Sequence, residues 1–152
     1  MNHNTDVIII GAGPVGLFAI FELGLLNIQC HLIDNLDKVG GQCSELYPEK
    51  PIYDIPSRVK ISAQELTDEL MKQVKVFNPV FHLNQQAEKI EKSSDHLWNI
   101  TTSAGNIISA KCIVIAAGVG SFVPRKPPIE NIEKYENTSV FYAVRDKKIF
   151  KG

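Results

Sequence analysis

The sequence predicts an α/β fold with a parallel sheet and crossover helices, and three observations lead to it. An apolar strand, DVIII, runs directly into the turn GAGPVG, and a long apolar run, LFAIFELGLL, follows with the length of a helix. A second strand, IQCHLID, completes a βαβ unit that ends near residue 34. Late in the chain, KCIVIAAG is continuously apolar, which is typical of a fully buried parallel strand.

The glycines of the first turn have the spacing GxGxxG, at Gly11, Gly13 and Gly16. In this fingerprint the first glycine makes the tight turn, the second lets a pyrophosphate approach the backbone, and the third lets the helix pack on the strand. A helix that starts near Pro14 presents unpaired N–H groups and a partial positive charge to an anion. The turn therefore predicts a dinucleotide site, although glycines at this spacing can also serve only to shape a βα turn.

An acidic residue, Asp34, ends the second strand and follows Gly16 by 34 − 16 = 18 residues. This is close to the spacing of about 20 residues that is expected of a carboxylate that binds ribose hydroxyls. An acid at this place disfavours a 2′-phosphate, so we expect FAD or NAD at this site and not NADP.

The middle of the chain contains a long irregular segment and then a helix. Residues 35–60 carry several glycines and prolines with aromatic residues between them, and a loop of this length is usually functional. We expect it to lie over the cofactor. Ser62 and Glu65 form a capping-box pattern at the start of a helix that leads to a further parallel strand near VFHL.

The second half predicts a small β-meander from the stretches QQAEKIEKS, HLWNITTS and NIISA. After Phe122 the composition changes to VPRKPPIE, rich in proline and charge. We therefore divide the chain into a domain over residues 1–124 and a linker or junction over residues 125–152. The linker carries seven Lys and Arg against four Asp and Glu, which suits a solvated segment or attraction to an acidic partner.

Composition limits the class of protein. The 152 residues are 44% hydrophobic with a formal net charge of −1, enough for one ordinary domain. No apolar run reaches the length of a membrane span, and the first residues do not have the pattern of a secretory signal. We expect a cytoplasmic protein without a membrane or nucleic acid partner.

Three cysteines, Cys30, Cys43 and Cys112, form no CxxC pair, which suits a reducing compartment. Cys30 and Cys112 lie in apolar strands and are expected to be inert core thiols. Only Cys43, in VGGQCSELYP, is placed where chemistry could occur.

The four histidines are scattered along the sequence, and we expect them to be solvated or packed on strands. No combination of His, Asp and Ser or of paired carboxylates indicates acid–base catalysis. We assign no catalytic residue and no metal ligand. The histidines are His3, His31, His82 and His96.

The order of these motifs resembles a known family. GAGPVG, LID, GGQC, a long aromatic loop and CIVIAAGVG look like the FAD-binding half of the flavoprotein reductases with two dinucleotide domains. More narrowly, GGQCSELYPEKPIYDIP and AAGVGSFVPRK resemble the thioredoxin-reductase-like ferredoxin–NADP reductases, and the resemblance covers essentially the whole chain.

The resemblance implies a Rossmann-like FAD-binding domain with a parallel sheet, crossover helices and a small β-meander. In it, the glycine turn would cradle the FAD diphosphate and Asp34 would bind the adenosine ribose. Gln42 would bond near the ribityl and flavin, Tyr47 would contact the isoalloxazine region, Ala87 would contact adenine through its backbone, and Phe122 would lie beside the cofactor. The residues implied in cofactor binding are Gly11, Gly13, Pro14, Val15, Gly16, Asp34, Gln42, Tyr47, Ala87 and Phe122.

The chain is incomplete relative to the family. Related reductases insert an NADPH-binding domain, with its own glycine fingerprint, after a segment like VFYAVRD, and a final segment adds flavin contacts. We therefore expect an N-terminal part of a homodimeric enzyme that passes electrons from NADPH through FAD to ferredoxin. Without the rest, the chain would be inactive and would hold FAD weakly or not at all.

Two alternatives remain open at this stage. One is a thioredoxin reductase, whose CxxC would lie in the NADPH-binding domain. The other is a separate module that binds FAD or NAD. A disulfide of the lipoamide and glutathione reductase type is not expected, because the position five residues after Cys43 is Pro48.

Overall fold

A computed structural model describes residues 1–93, 96–121, 125–142, 144 and 147–150. Its centre is a four-stranded parallel sheet in the order β10-β2-β3-β6. The strands are β2 (Val7–Ile10), β3 (Cys30–Ile33), β6 (Val80–His82) and β10 (Cys112–Ile115). The predicted α/β class with a parallel sheet is confirmed.

Two helices cover one face of this sheet, α1 (Pro14–Leu25) and α3 (Ala63–Lys75). The alternation of side chains along a strand sends Val7 and Ile9 of β2 and Leu32 of β3 toward the helices. There they pack with buried residues of α1 and α3 such as Leu17 and Leu70. We call this group the helix-side core.

The helix α3 begins as its sequence predicts. The hydroxyl of Ser62 accepts a hydrogen bond from the backbone N–H of Glu65, and the Glu65 carboxylate accepts one from the N–H of Ser62. The pKa of Glu65 is lowered, mainly by this backbone hydrogen bond. The capping box is therefore confirmed, and α3 returns the chain to β6 as expected.

The predicted meander covers the opposite face of the sheet. Its antiparallel strands are β7 (Ala87–Lys92), β8 (Trp98–Thr102) and β9 (Ile107–Ala110). A short strand, β1 (Asn2–Asn4), which the sequence did not reveal, adds to β9 in parallel. Between the two sheets lies a smaller group that we call the meander-side core: Ile8, Ile33, Ile100, Ile108 and Ala110.

The segment predicted as irregular, residues 35–60, contains some regular structure. It includes the helical turn α2 (Gln42–Glu45) and the strand β4 (Pro51–Ile52), which pairs with β5 (Ile61–Ser62) in an antiparallel ladder. The prediction that this segment is wholly irregular was wrong. The glycines Gly40 and Gly41, both with positive φ, turn the chain directly into the helical turn α2, which is too short to show a periodic pattern in the sequence.

The prediction of a fully buried strand near KCIVIAAG was also wrong. β10 is parallel as expected, but it is the edge strand of the described sheet, with Ile115 72% exposed. Cys112 is exposed and is not a core thiol, whereas Cys30 is buried as predicted. Burial raises the pKa of Cys30 to about 11, so this thiol stays protonated.

Beyond the sheet, the described part of residues 125–150 contains two 3₁₀ turns, Ile132–Tyr135 and Lys147–Phe150. Glu136 accepts from Lys126 at 2.6 Å and from the Tyr142 hydroxyl at 3.1 Å. Among the described residues, no helix has both the length and the apolar character required to cross a membrane.

Candidate dinucleotide-binding site

A cleft of about 390 Å³ lies at the carboxyl ends of the parallel strands. Loops that follow β2, β3, β6 and β10 line it, as expected for an open α/β sheet. Eight predicted site residues meet there: Gly11, Gly13, Pro14, Val15, Asp34, Gln42, Tyr47 and Ala87. The long loop after β3 forms one wall, in agreement with its predicted place over the site.

The glycine turn has the geometry of its fingerprint. Gly11 has a φ of +107°, and a Cβ there would overlap the carbonyl oxygen of Ala116. A Cβ at Gly16 would overlap the carbonyl oxygen of Gly11, so the helix approaches the turn closely only because the side chain is missing. Gly16 is buried behind the cleft wall instead of lining it.

The helix α1 begins at the cleft without a side-chain cap among the described residues. Gly13 is its N-cap and Pro14 its first residue, so the first-turn N–H groups are available to a ligand. A Cβ at Gly13 would meet no atom within 4 Å, which means that this backbone faces open space. The helix end therefore has the features of an anion site.

Asp34 is tied to the glycine turn. Its Oδ2 accepts from the N–H of Ala12 at 2.6 Å, and its Oδ1 accepts from the N–H of Leu36 at 2.8 Å. The backbone of Asp34 donates to the carbonyl of His82 at 3.0 Å and accepts from the N–H of Gln85 at 3.0 Å. The carboxylate thus joins the ends of β2 and β3 at the cleft, and each oxygen retains a further lone pair for a hydroxyl donor.

The opposite wall starts at α2. Gln42 is exposed to the cleft, and its amide Nε2 would lie 3.9 Å from a Cβ at Gly118. The Tyr47 ring is half-buried, and the Lys50 ammonium lies 5.1 Å from its centroid, a cation–π distance. An amide and an aromatic ring therefore both border the cleft.

Cys43 also borders the cleft but is buried, and burial raises the pKa of its thiol. A thiol of raised pKa is a weak nucleophile at neutral pH. Residue 48, where a second redox cysteine would stand, is a proline. The proline and the raised pKa of Cys43 both argue against a redox disulfide at this position.

Ala87 lines the cleft at the start of β7, whereas Phe122 lies outside the described residues. Sequence reasoning did not assign several other lining residues, among them Gln85, whose side chain accepts from the Thr102 hydroxyl at 2.8 Å and from the Asn106 amide at 2.9 Å. The position of Gln85 shortly after the parallel strand β6 could have indicated this, because ligand-binding loops begin at the carboxyl ends of such strands.

Three histidines lie on strands and His96 is exposed, as expected, but the sequence did not reveal that the three strand histidines meet. His3, His31 and His82 come together between the two sheets, while His96 is exposed on a turn. Within the part of the chain that the structure describes, no group of three or more His, Cys, Asp or Glu side chains has the geometry to hold a metal ion.

The cleft residues fit a flavin dinucleotide. The open backbone at Gly13 and the uncapped start of α1 suit a diphosphate, and Asp34 beyond the turn suits a ribose. Gln42 and Tyr47 offer polar and aromatic contacts on the far side. A cleft that combines these groups in one parallel-sheet crevice defines a Rossmann-like dinucleotide-binding domain.

Comparison with known proteins agrees with this class. Residues 5–151 match the model of the pyridine nucleotide-disulphide oxidoreductase family, and the chain belongs to that family. The predicted Rossmann-like FAD-binding domain and FAD as its cofactor are confirmed by this membership.

Several similar relatives carry one name. The chain is 62% identical over 147 residues to the ferredoxin–NADP reductase of Bradyrhizobium sp. (strain BTAi1), with 97% of this chain and 43% of that protein covered. It is 57% identical over 150 residues to the ferredoxin–NADP reductase of Rickettsia rickettsii (strain Sheila Smith), covering 99% and 44%. The resemblance seen in the motifs is thus confirmed, and the chain spans less than half the length of these curated relatives.

Among solved structures, a thioredoxin reductase from Streptococcus pyogenes matches with a TM-score of 0.67 at 25% identity. The match covers 89% of this chain and 41% of that one. The flavoprotein reductase fold predicted from the motifs therefore has a structural counterpart.

Proposed function

We propose that this chain is the FAD-binding part of an oxidoreductase that transfers electrons from NADPH through FAD to ferredoxin. The observation that carries the proposal is the 62% identity to a ferredoxin–NADP reductase over 147 residues, the same residues that build the cleft. Bound FAD would accept a hydride and pass electrons on singly. The chain's own residues bind and orient it.

In this proposal the two ends of the cleft have different tasks. The α1 N-terminus and the backbone of Gly11 and Gly13 bind the diphosphate, and Asp34 accepts from ribose hydroxyls. Gly16 acts indirectly by letting α1 pack close to the turn. The proposed contact of Ala87 with adenine uses its backbone, so it places no demand on the residue type.

At the flavin end, Gln42 donates its amide toward the flavin and the ring of Tyr47 excludes water from one side. Gln42 is the first residue of α2, and Tyr47 follows the end of that helical turn by two residues, so both line the cleft from the segment after β3. The proposed set of cofactor-binding residues also retains Val15 and Phe122.

We extend the proposal to the organisation of the protein. Residues 1–124 form the FAD-binding domain, and residues 125–152 lead toward an NADPH-binding domain. The whole protein is proposed to be a cytoplasmic homodimer. The free thiols Cys30, Cys43 and Cys112 support a reducing compartment, since no disulfide joins them.

The test is the visible absorption spectrum of a protein that spans the full length of the curated relatives, recorded without oxygen. NADPH should bleach the flavin bands, and oxidised ferredoxin should restore them. Restoration by ferredoxin at a rate that thioredoxin does not match supports the proposal. A protein without flavin bands, or with bands that NADPH leaves unchanged, contradicts it.

The thioredoxin reductase from Streptococcus pyogenes favours a second candidate, reduction of a disulfide protein. The same experiment separates the two, because thioredoxin and not ferredoxin would then restore the bands. A CxxC in the proposed NADPH-binding domain is the corresponding sequence feature. A module that binds FAD or NAD without an electron acceptor would show restoration with neither protein.

A further inference from the structure

Three histidine rings meet at the boundary between the two sheets. His31 Nδ1 and His82 Nε2 lie 3.0 Å apart, within hydrogen-bond distance. The His3 ring centroid lies 5.7 Å from that of His31 and 5.0 Å from that of His82. The rings come from β3 and β6 of the parallel sheet and from β1 of the meander sheet, and we call them the histidine cluster.

The cluster is linked to the dinucleotide site through the backbone. His82 is the last residue of β6, and its carbonyl accepts the N–H of Asp34 at 3.0 Å. His31 lies on β3 three residues before Asp34, and Ile33 of that strand is paired with His82. A change in the spacing of β3 and β6 at the cluster would therefore move the Asp34 carboxylate.

The arrangement suits neutral rings. A hydrogen bond between two imidazoles needs one ring nitrogen as acceptor, so it cannot form when both rings are fully protonated. Burial first, and then the charges of His82 and His3, lower the pKa of His31 to about 4. Burial and then His3 also lower the pKa of His82.

The elements around the cluster supply no charge that would offset protonation within the described residues. β1 adds Asn2 and Asn4, and β2 and β9 carry no ionisable side chain. Two carboxylates on the segments that follow β1 and β3 have other partners. Asp34 accepts from Ala12 and Leu36, and Asp6 accepts from Gln29 and Lys111. The charged residues of β7 lie on the opposite edge of the meander sheet from β1.

We propose that the histidine cluster is a proton-sensitive support of the nucleotide site, which holds β6 and Asp34 in place at neutral pH and loosens them in acid. The consequence for FAD affinity rests on the proposed function, whereas the movement of Asp34 does not.

The direction of the pH effect follows from linkage. In the unfolded chain a histidine titrates near its ordinary pKa of 6.5, whereas His31 in the folded chain titrates near 4. Between these values the unfolded chain binds more protons, so stability is lost as pH falls through this window and is complete above it. The thermal midpoint of the chain should decrease from pH 6.5 to pH 4.

The first experiment needs no nucleotide. Histidine-ring and backbone-amide NMR of the 152-residue chain would be followed from pH 7.5 to pH 3. We expect the His31 ring to titrate well below 6.5. The Asp34 amide signal should have a component that follows the same midpoint and is absent in His31→Gln, in which only the carboxylate of Asp34 itself still titrates. A His31 ring that titrates at its ordinary pKa, or an Asp34 amide that ignores the titration, overturns the proposal.

Variants separate this role from simple packing. His31→Gln keeps a hydrogen-bonding side chain that does not titrate, and His3→Asn removes only the third ring. Both should flatten the decrease in thermal midpoint between pH 6.5 and pH 4. The matched control is His96→Asn, at an exposed residue with a φ of +62°, which asparagine adopts readily. This control should keep the full pH dependence of the unsubstituted chain.

The second experiment measures FAD affinity against pH by flavin fluorescence in a protein that spans the full length of the curated relatives. We expect the dissociation constant to change little from pH 7 to pH 5 and to rise by about twofold by pH 4, because the pKa of His31 in the free protein is about 4 and a decrease of one in that pKa on binding produces this ratio. The rise should be smaller in His31→Gln. An equal rise in both proteins contradicts the coupling, while failure of every form to bind FAD contradicts the proposed function and leaves the NMR result to decide the inference.

Discussion

The two faces of the parallel sheet are built differently. On one face, α1 and α3 bury the helix-side core, which contains eleven buried residues in addition to the partly buried side chains around them. On the other, the meander covers five buried apolar residues and, beside them, the histidine cluster. The helix face holds the nucleotide turn by close packing, whereas the meander face adds ionisable groups that respond to pH.

The largest expected effect tests close packing on the helix face. Gly16→Ala would place a Cβ against the carbonyl oxygen of Gly11, where backbone cannot retreat without moving α1. We expect a loss of more than about 4 kcal/mol of unfolding free energy, a range that only severe defects reach. Urea unfolding followed by circular dichroism would measure it.

The matched control for this prediction is Gly13→Ala in the same turn. Gly13 has ordinary angles, φ −70° and ψ 177°, and space around its Cβ position. This variant should fold normally but bind FAD more weakly, since the methyl group enters the diphosphate side of the cleft. Equal stability of the two variants would show that α1 does not depend on close approach at Gly16.

Two neighbouring residues of β3 allow the stability contributed by the two faces to be compared directly. Leu32 belongs to the helix-side core and Ile33 to the meander-side core, and both are essentially fully buried. Substitution of either by Ala should cost about 2–5 kcal/mol, with Leu32→Ala at the upper end because it leaves a cavity in the larger core. Urea unfolding at pH 7 provides the values.

The pH dependence of the same two variants sharpens the contrast. Ile33 shares a face of β3 with His31, so a cavity at Ile33 would admit water and reduce the burial that lowers the pKa of His31. Ile33→Ala should therefore lose less stability than Leu32→Ala when the pH falls from 6.5 to 4. If the stability of the two variants changed with pH in the same way, the histidine cluster would titrate independently of packing in the meander-side core.

Sequence and structure agree best on the helix face. The βαβ unit, the glycine turn and the capped helix depend on residues close together in the sequence, and local patterns report them well. The sequence placed the glycine turn and Asp34 at one cleft for the same reason, because the fingerprint and its spacing are local patterns.

The meander face was predicted less completely because its details depend on distant pairing. β1 is a polar three-residue strand whose partner β9 lies more than one hundred residues later, at Asn2 with Ile107. The same pairing brings His3 to His31 and His82, which no local pattern reveals. Sheet order is equally non-local, and so the apolar sequence of β10 suggested burial although the strand lies at an edge.

A smaller loss of stability is expected at Asp34, which lies at the cleft where the ends of β2 and β3 meet. Asp34→Ala removes acceptors from the N–H groups of Ala12 and Leu36 and should cost about 1.5–3 kcal/mol, the usual range for hydrogen bonds to a charged group. FAD affinity should fall as well. Asp34→Asn, which keeps one acceptor oxygen, should recover part of the stability, and unchanged FAD affinity in Asp34→Ala would refute the ribose assignment.

The smallest expected effect concerns the start of α3 on the helix face. Ser62→Ala removes the hydroxyl that accepts from Glu65, and loss of such a cap costs about 1 kcal/mol. The control Glu65→Gln keeps an acceptor for the N–H of Ser62 and should cost less. Because α3 lies on the face away from the histidine cluster, Ser62→Ala should lower the thermal midpoint equally at pH 7 and pH 5. A larger decrease at pH 5 would mean that a defect at the start of α3 changes the pH dependence of stability. The two faces would then differ in which residues they contain but not in how their stability responds to pH.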